Sequence, residues 1–443
     1  MTKNLKLAVY KLYSQLLFQR LVIYVINTFS LFMLGGINSV YLASSNLANQ
    51  VFIIVSLAVA GIAEGSGVII AQFIGKKDHY SINQIVSYGI VTAGIFGFAI
   101  SAGVYFNSGF LMSILTNDAE MILIGQKYMQ IASISYFFYA MSTVCFAILR
   151  SLKIINIAIV SSITACVVNI VLSLLLVKKL GVQGVAISTT SSRIVELLIV
   201  ATYILIKRRD LNLTTVRLFK LDRKYAKLYY KTLYPLMMNE LLWSFGDSLI
   251  VIVFGRLGQD FVTAQSMYSM LSQFTGILLS INVVASIFIG NAIGEGNDMQ
   301  LHALIRFFKQ LSLGVGIIGS ITMISGSFII PAVYDFNSTT NDYIRQILLV
   351  TACIEIFKSL QLNYMMGIFR GAGDVIFILA NDMIFLWFYA VPVCYITAMV
   401  LHLPPWLVIG ITRGDQIIKF VTSSVRFRSG KWRKNITMIQ VTK

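Results

Sequence analysis

The sequence predicts an all-α membrane protein with about twelve transmembrane helices in two pseudo-symmetric six-helix bundles. Three observations support this prediction: an apolar composition, a series of apolar stretches of membrane-spanning length, and a pattern that recurs in both halves. Apolar residues make up 57% of the 443 positions and charged residues 12%, whereas soluble domains have roughly half and a quarter. A soluble protein of this size could not bury so much apolar surface, but a bilayer replaces the missing core.

Apolar stretches long enough to cross a bilayer follow one another along the chain, since a transmembrane helix needs about 20 mostly apolar residues. Those of the first half lie near 14–35, 46–73, 82–106, 123–148, 154–177 and 184–206. Those of the second half lie near 233–255, 261–291, 305–330, 344–369, 375–400 and 404–425. We therefore predict an N-terminal bundle over 1–206, a basic cytoplasmic linker over 207–231, a C-terminal bundle over 232–425 and a basic cytoplasmic tail over 426–443.

The basic residues lie between the apolar stretches rather than within them. The formal net charge is +17, which would also suit a nucleic-acid-binding protein, but this separation is typical of a membrane protein. Lys and Arg collect on the side of the linker and the tail, and acids such as Asp118 and Asp342 lie on the other side. We therefore predict a multi-pass protein of the cell (cytoplasmic) membrane with both termini in the cytoplasm and no nucleic-acid partner.

Two motifs recur in the two halves at nearly the same distance. Residues 146–150 (Phe-Ala-Ile-Leu-Arg) recur at 366–370 (Met-Gly-Ile-Phe-Arg), 220 positions later. Residues 74–78 (Ile-Gly-Lys-Lys-Asp) recur at 293–298 (Ile-Gly-Glu-Gly-Asn-Asp), 219 or 220 positions later. Matches at one offset indicate a duplicated six-helix unit. Such parallel repeats are typical of transporters with a site between the repeats, near the membrane midplane.

Acidic residues inside the apolar stretches are the first candidate binding groups. A charge at membrane depth costs about 2.5–3.5 kcal/mol on insertion scales, so each one needs a function or a partner. Glu240 and Asp247 of the seventh span are two helical turns apart and share a face with Trp243. Two acids and an aromatic ring on one stripe can bind a cation or proton and stack an organic ligand. The alternative is that the acids only bond to neighbouring helices.

Other polar residues in the spans extend the candidate site. Asp382 of the eleventh span and Glu355 of the tenth are placed to face the same cavity. Glu64 of the second span lies among glycines that allow close helix approach or local unwinding. Arg193 and Glu196 of the sixth span are three positions apart, and we predict a structural ion pair between them. The candidate cavity-lining residues are Trp243, Asn239, Asn27, Asn169 and Gln265.

Sequence motifs for metal, nucleotide or covalent chemistry are missing. None of the three histidines, His79, His302 and His402, has a second ligand nearby, so we expect no metal site other than a Na⁺ ion at Glu240. There is no phosphate-binding loop and no nucleophile elbow. We therefore expect no cofactor, no enzymatic activity and no ATP-driven transport by this chain alone.

Several short motifs, in order along the chain, are similar to those of one transporter family. Residues 71–78 (Ala-Gln-Phe-Ile-Gly-Lys-Lys-Asp) look like a Gln-x-x-Gly-x-x-Asp exit from a second helix, and 369–374 (Phe-Arg-Gly-Ala-Gly-Asp) like Leu-Arg-Gly-x-Gly-Asp. Residues 235–243 and 254–258 look like a common bacterial form of a seventh helix. The sequence thus resembles, over nearly its whole length, the bacterial branch of the multidrug and toxic compound extrusion (MATE) family. That family belongs to the multidrug/oligosaccharidyl-lipid/polysaccharide flippase group.

The resemblance implies a secondary antiporter that exports small organic, lipophilic and often cationic compounds in exchange for H⁺ or Na⁺ by alternating access. We expect it to act as a monomer in the lipid bilayer. Family members bind the coupling cation through acids in either half. Here the first-helix Asp of many members is replaced by Asn27, and the fifth-helix Asn-x-x-x-Asp reads Asn169 to Ser173. Because Glu240 best matches a family acidic position, we place coupling in the C-terminal half.

Three other functions stay open at this point. A flippase for a lipid-linked oligosaccharide or polysaccharide would share the fold and need many cationic residues, of which the mid-membrane positions offer only Arg193 clearly. A membrane-embedded transferase would need a His/Asp or Asp-rich metal constellation. A passive channel is disfavoured by the duplicated halves and by the isolated buried acids.

Overall fold

Helices make up the secondary structure throughout the part of the chain that the computed structural model describes. Its backbone is described for residues 2–35, 39–213, 221–334 and 336–438, and the side chains of 23–35 and 39 lie outside the description. The helices of the first half are α1 (Lys3–Gly35), α2 (Ser39–Lys76), α3 (His79–Leu115), α4 (Ala119–Ser151), α5 (Asn156–Leu180) and α6 (Val182–Lys207). Those that follow are α7 (Arg223–Gly255), α8 (Gln259–Leu278), α9 (Ile281–Glu295), α10 (Asp298–Val333), α11 (Ser338–Leu362), α12 (Val375–Phe385), α13 (Val391–Tyr395), α14 (Pro405–Arg413) and α15 (Asp415–Arg428).

Ten stretches of the described chain are long and apolar enough to cross a membrane. The helix α1 and the consecutive helices α14 and α15 contain the remaining two of the twelve predicted spans. Helices suit this environment because a bilayer offers no water, so every backbone N–H and C=O must find its partner within the protein. The predicted all-α membrane fold is confirmed.

The described chain divides into two compact units, each with its own apolar core. The N unit comprises Ser14–Met237, and the C unit comprises residues 2–13 together with 238–438. Buried Ile, Val and Tyr side chains of α2, α3, α4 and α7 fill the core of the N unit, and those of α7, α8, α10 and α11 contribute to that of the C unit. The domain limits taken from the sequence stay a prediction. Of the predicted linker, 214–220 lie outside the described residues, and the part from Arg223 onward is helical.

Equivalent helices of the two halves begin and end at matching positions. The helices α1 and α7 are both 33 residues long, and their first and last residues are 220 positions apart. Asp78 and Asn297, 219 positions apart, accept hydrogen bonds at 3.0 Å from the backbone N–H groups of Ser81 and Gln300. They are the N-caps of α3 and α10, where such side chains satisfy amides that have no partner within the helix. The equivalent N-caps of α4 and α11 are Asp118 and Asn337.

The residue before each of the first two caps has a left-handed backbone conformation. Lys77 has φ 59° and its equivalent Gly296 has φ 70°. Their backbone N–H groups donate to Ile74 and Ile293 at 3.0 and 3.1 Å, so both halves turn from one span into the next in the same way. Glycine adopts this conformation without strain, whereas lysine does not.

Wide helical turns interrupt two spans of the C unit. The helix α11 continues into a π-helical segment, Asn363–Phe369, and further π-helical turns occur at Leu386–Ala390 and Ile396–Val400. In such turns the backbone hydrogen bonds reach one residue further than in an α-helix, and they are frequent at functional sites. The offset between the halves rises from 219 at Asn337 to 220 at Arg370, across the first of these turns.

Candidate functional site

Each of the five candidate acids forms an ion pair with a basic side chain. The pairs are Glu64–Arg150 at 3.3 Å, Glu240–Arg370 at 3.2 Å, Asp247–Arg413 at 3.1 Å, Glu355–Lys358 at 3.2 Å and Asp382–Lys419 at 3.1 Å. The expectation that these buried acids are isolated is wrong. Pairing lowers the cost of holding a charge at membrane depth, and it makes removal of one partner more costly than removal of both.

The Glu240–Arg370 pair joins α7 to the end of the span that contains α11. Arg370 follows the π-helical segment directly, and 7% of its side chain is exposed, against 20% for Glu240. The guanidinium is therefore fixed in the protein, while part of the carboxylate stays accessible. A carboxylate held in this way can exchange its arginine for another cation.

The second acid on α7 has a partner of its own. Asp247 accepts a hydrogen bond from Arg413 of α14, so Glu240 and Asp247 share a helix but bind different arginines. Trp243 lies between them in sequence, and its side chain is exposed. The helix α7 continues through Pro235 without a break. The two acids and Trp243 therefore lie along one helix as predicted, but each acid contacts a different arginine.

A buried triad surrounds the ammonium group of Lys419. Its Nζ lies 3.1 Å from a carboxylate oxygen of Asp382 on α12 and 3.1 Å from one of Asp415 on α15. The side chains are 2%, 7% and 4% exposed in the order lysine, Asp382 and Asp415. The Gln416 amide also donates to both oxygens of Asp415, at 3.1 and 3.0 Å.

Glu355 lies in a separate polar cluster. It accepts hydrogen bonds from Lys358 at 3.2 Å and from the hydroxyl of Thr275 at 3.0 Å, and Lys358 also donates to Ser272 at 3.3 Å. The carboxylate is buried, and its partners come from α8 and α11.

In the N unit, Glu64 lies at a close helix contact. A Cβ atom on Gly61 would lie 2.4 Å from the Cα of Met237, and one on Gly65 would lie 3.1 Å from the Cα of Leu233. The helix α2 is continuous through these glycines, so they serve close approach to α7 and not local unwinding. Arg20 of α1 lies near enough to interact electrostatically with both members of the Glu64–Arg150 pair.

Glu196 forms the predicted ion pair within α6. Arg193 donates to it at 3.0 Å, and the hydroxyls of Ser142 and Ser162 donate at 3.4 Å each. The Arg193 guanidinium also lies over the ring of Tyr139, 5.1 Å from its centroid. The buried carboxylate is thus surrounded by donors, which suits a structural role.

The neutral candidates lie in varied surroundings. Asn239 is buried beside Glu240, and its side-chain oxygen has no hydrogen-bond partner among the described residues. The same holds for the side-chain oxygen of Gln265. Asn169 is buried and donates to Thr189 at 3.5 Å, while the side chain of Asn27 lies outside the described residues.

The sequence analysis missed the bases that hold these acids. An offset of 220 residues makes Arg370 the equivalent of Arg150 in the other half, and it makes Glu240 the equivalent of Arg20. The same offset matches Asp247 to Asn27 and Arg413 to Arg193. The duplication was therefore the signal that could have found them. The view that only Arg193 offers positive charge in the spans is wrong.

The described part of the chain contains no group of three or more His, Cys, Asp or Glu side chains that could hold a metal ion. The four cysteines, Cys145, Cys166, Cys353 and Cys394, are free.

Residues 16–175 and 235–396 each match the family model MatE, one segment in each half. The chain belongs to the MatE family. The two matched segments begin 219 positions apart, in agreement with the duplication. As a MatE protein, the chain is a multi-pass membrane transporter and not an enzyme.

Relatives of this MatE protein occur in bacteria and in mammals. The uncharacterized transporter YisQ of Bacillus subtilis (strain 168) is 23% identical over 364 residues, which cover 80% of this chain and 79% of the relative. The probable multidrug resistance protein YoeA of the same organism is 21% identical and covers 78% and 76%. Multidrug and toxin extrusion protein 2 of Mus musculus is 23% identical and covers 80% of this chain and 62% of the mouse protein.

Solved structures share this fold over almost the whole chain. A MATE protein crystallised in a bent conformation superposes with a TM-score of 0.86 at 19% identity and covers 97% of this chain and 99% of its own. A MOP-superfamily transporter from Pyrococcus furiosus, described as having a binding pocket of reverse polarity that suggests a different function, gives 0.84 at 19% identity with 96% of both chains. At these identities the likeness establishes the MatE fold.

Proposed function

We propose that this MatE protein is a secondary antiporter that exports small organic, mainly cationic compounds in exchange for H⁺ or Na⁺ by alternating access. The Glu240–Arg370 pair carries the proposal, because it holds a partly accessible carboxylate in the C unit against a buried arginine. The names of YoeA and of the mouse relative support multidrug export for this chain. We further propose that it acts as a monomer in the cell membrane with both termini in the cytoplasm.

The mechanism is competition for one carboxylate. An organic cation or the coupling ion displaces Arg370 from Glu240, and each occupant neutralises the acid in a medium of low dielectric constant. A ligand shifts the populations of two conformations only by its difference in affinity for them. Since the two positive species cannot occupy the carboxylate together, uptake of one accompanies release of the other.

The test is ethidium transport in inverted membrane vesicles, with Na⁺ and pH gradients imposed separately. We expect one of the two gradients to drive transport in the wild type, and Glu240→Gln to abolish it. A matched control is Glu120→Gln, since Glu120 is exposed at the start of α4 and its substitution should leave transport unchanged. Full transport by Glu240→Gln would remove this carboxylate from the mechanism.

Loss of transport could also follow because Glu240→Gln breaks the buried ion pair with Arg370. The double variant Glu240→Gln/Arg370→Gln removes both charges, so its amount in the membrane should return to that of the wild type. Its transport should stay absent. Restored transport in the double variant would show that the pair is structural.

A flippase for a lipid-linked oligosaccharide or polysaccharide is the second candidate function. The N unit favours it, because Arg20 and Arg150 are two positive charges around the single acid Glu64. Such a site suits a phosphate group, and a related fold is described as having a binding pocket of reverse polarity. Transfer of a fluorescent lipid-linked pyrophosphate sugar across the same vesicles, together with no ethidium transport under either gradient, would favour this function.

A further inference from the structure

The buried triad of the C unit lies well inside the helices that hold it. Asp374, just before α12, binds Arg426 of α15 at 2.9 Å and so joins the two helices at one end. Asp382 lies eight residues beyond Asp374, and Lys419 lies seven residues before Arg426, which is about 10–12 Å along an α-helix. Thr422 also donates to Asn381 at 2.8 Å. Two buried contacts thus hold α12 against α15 at this depth.

The charges of the triad do not balance. Two carboxylates share one ammonium group, which leaves one excess negative charge when both acids are ionised. Ion pairs also hold charged groups on the surrounding helices. Asp247 pairs with Arg413, which interacts electrostatically with Asp415 as well, and Glu355 pairs with Lys358. Asp374, at the end of the two helices, has two basic partners, Arg426 and Lys434. Among the described residues, Lys419 is the one base in an ion pair with Asp382 or Asp415.

A buried hydroxyl group without a hydrogen bond lies on the same face of α15. Ser423 lies one turn beyond Lys419 and two turns beyond Asp415 on α15, and it is fully buried. Its hydroxyl has no hydrogen-bond partner among the described residues. A buried hydroxyl without a partner is unfavourable, so this face is built for an arrangement in which a further donor or acceptor is present.

The ligand that fits this site is a proton. The ammonium of Lys419 already lies between the two carboxylates, where a metal cation would have to bind, so a Na⁺ ion would meet a like charge. A proton needs no such space, since it binds to a carboxylate oxygen and cancels the excess charge. We propose that Asp382, Lys419 and Asp415 form a second proton-binding site besides Glu240, an inference that rests on the proposed antiport and assigns H⁺ as its coupling ion.

Hydrogen bonds identify the acid that takes the proton. Asp415 forms an ion pair with Lys419 and accepts two hydrogen bonds from Gln416, so donors already contact both of its oxygens. In the described part of the chain, Asp382 contacts a single donor, Lys419, through one of its two oxygens. The proton therefore binds Asp382, and Lys419 then pairs with Asp415 within α15. Protonation weakens one of the two links between α12 and α15, which couples proton uptake to movement of these helices.

The first experiment measures protonation directly, without reference to transport. Wild-type protein in liposomes of phosphatidylethanolamine and phosphatidylglycerol is compared by infrared spectroscopy at acid and neutral pH. We expect a band of a protonated carboxylic acid that Asp382→Asn loses and that Asp210→Asn retains. Asp210 is a matched control because it forms an exposed pair with Lys207. A band unchanged in Asp382→Asn would overturn the proposal.

The second experiment measures coupling in the same liposomes. Asp382→Asn imitates the protonated site and leaves Lys419 and Asp415 as a balanced pair, so this variant should fold. Ethidium accumulation driven by a pH gradient should fall at least tenfold in Asp382→Asn, whereas in the control Asp210→Asn it should stay within twofold of the wild type. Retained accumulation, or accumulation driven by Na⁺ at constant pH, would refute the proton site.

The two proposals fail in different ways. If wild-type liposomes transport no ethidium under any gradient, antiport of this compound is wrong, and the infrared band still decides whether the triad binds a proton. If ethidium exchange occurs but the band persists in both Asp382→Asn and Asp415→Asn, antiport stands and the proton site is wrong.

Discussion

Equivalent helices of the two halves begin and end at matching residues, but one pair of equivalent residues within them carries opposite charges. In the first helix of each half, the N unit has Arg20 where the C unit has Glu240, while the arginine at the end of the fourth helix is kept as Arg150 and Arg370. The N unit therefore places two arginines around Glu64, and the C unit pairs one arginine with one acid. The two halves of a duplicated protein can thus keep the same helix ends and the same arginine, Arg150 or Arg370, while the charge of a nearby residue changes sign between Arg20 and Glu240.

The largest expected effect tests whether the second arginine compensates in the N unit. Arg370→Ala removes the arginine that forms the ion pair with Glu240, which should lower the free energy of unfolding by about 3 kcal/mol. Arg150→Ala leaves Arg20 near Glu64, so its cost should be only about 1 kcal/mol. Thermal unfolding of the detergent-solubilised protein, followed by a thiol-reactive dye at the buried Cys145 and Cys394, would measure the difference.

The control for this comparison is the double variant Arg20→Gln/Arg150→Ala. Removal of both N-unit arginines should make the loss as large as that of Arg370→Ala. Equal losses for the two single variants would show that Arg20 does not compensate for Arg150, and the contrast between the units would then have no energetic basis.

A smaller effect is expected on ligand affinity. Arg20→Gln removes the excess positive charge around Glu64, so the affinity of this N-unit acid for ethidium should rise about tenfold, or by roughly 1.4 kcal/mol. Fluorescence titration with ethidium at low salt would measure this change. Arg209→Gln, at an exposed position beyond α6, is the control. No gain in affinity, together with weaker binding of a pyrophosphate lipid, would favour the flippase.

The smallest effect concerns the matched turns before α3 and α10. Lys77→Gly should relieve about 1–2 kcal/mol of left-handed strain and add about 0.5–1 kcal/mol of chain entropy, a net stabilisation of roughly 0.5 kcal/mol. Gly296→Lys should have the opposite sign, because open space surrounds Gly296 and only strain is added. The midpoint of thermal unfolding would report both. Shifts of the same sign would show that the turns are not equivalent.

The fold follows from the sequence because its determinants act along single helices. Span length, the charges between spans and the N-caps at Asp78 and Asn297 all depend on residues close in sequence. The duplication was visible for the same reason, as a constant spacing. Composition and periodicity therefore predict the type and the approximate positions of the spans.

The partners of the candidate acids did not follow from the sequence. Arg150 and Arg370 end their spans, where bases usually indicate the cytoplasmic side, but their long side chains reach acids of other helices. Lys419 lies four residues after Asp415, and that contact could be predicted from helical spacing. Its bond to Asp382 could not, because it depends on which helices are neighbours.

The wide turn Asn363–Phe369 records a difference in length between the halves. Between Asn337 and Arg370 the C half has one residue more than the N half has between Asp118 and Arg150. A helix that gains a residue without shifting its ends must bulge, and a π-helical segment is the form that such a bulge takes. The turn is therefore the trace of a one-codon insertion or deletion after the ancestral gene was duplicated, and it has kept Arg370 in register with the other half.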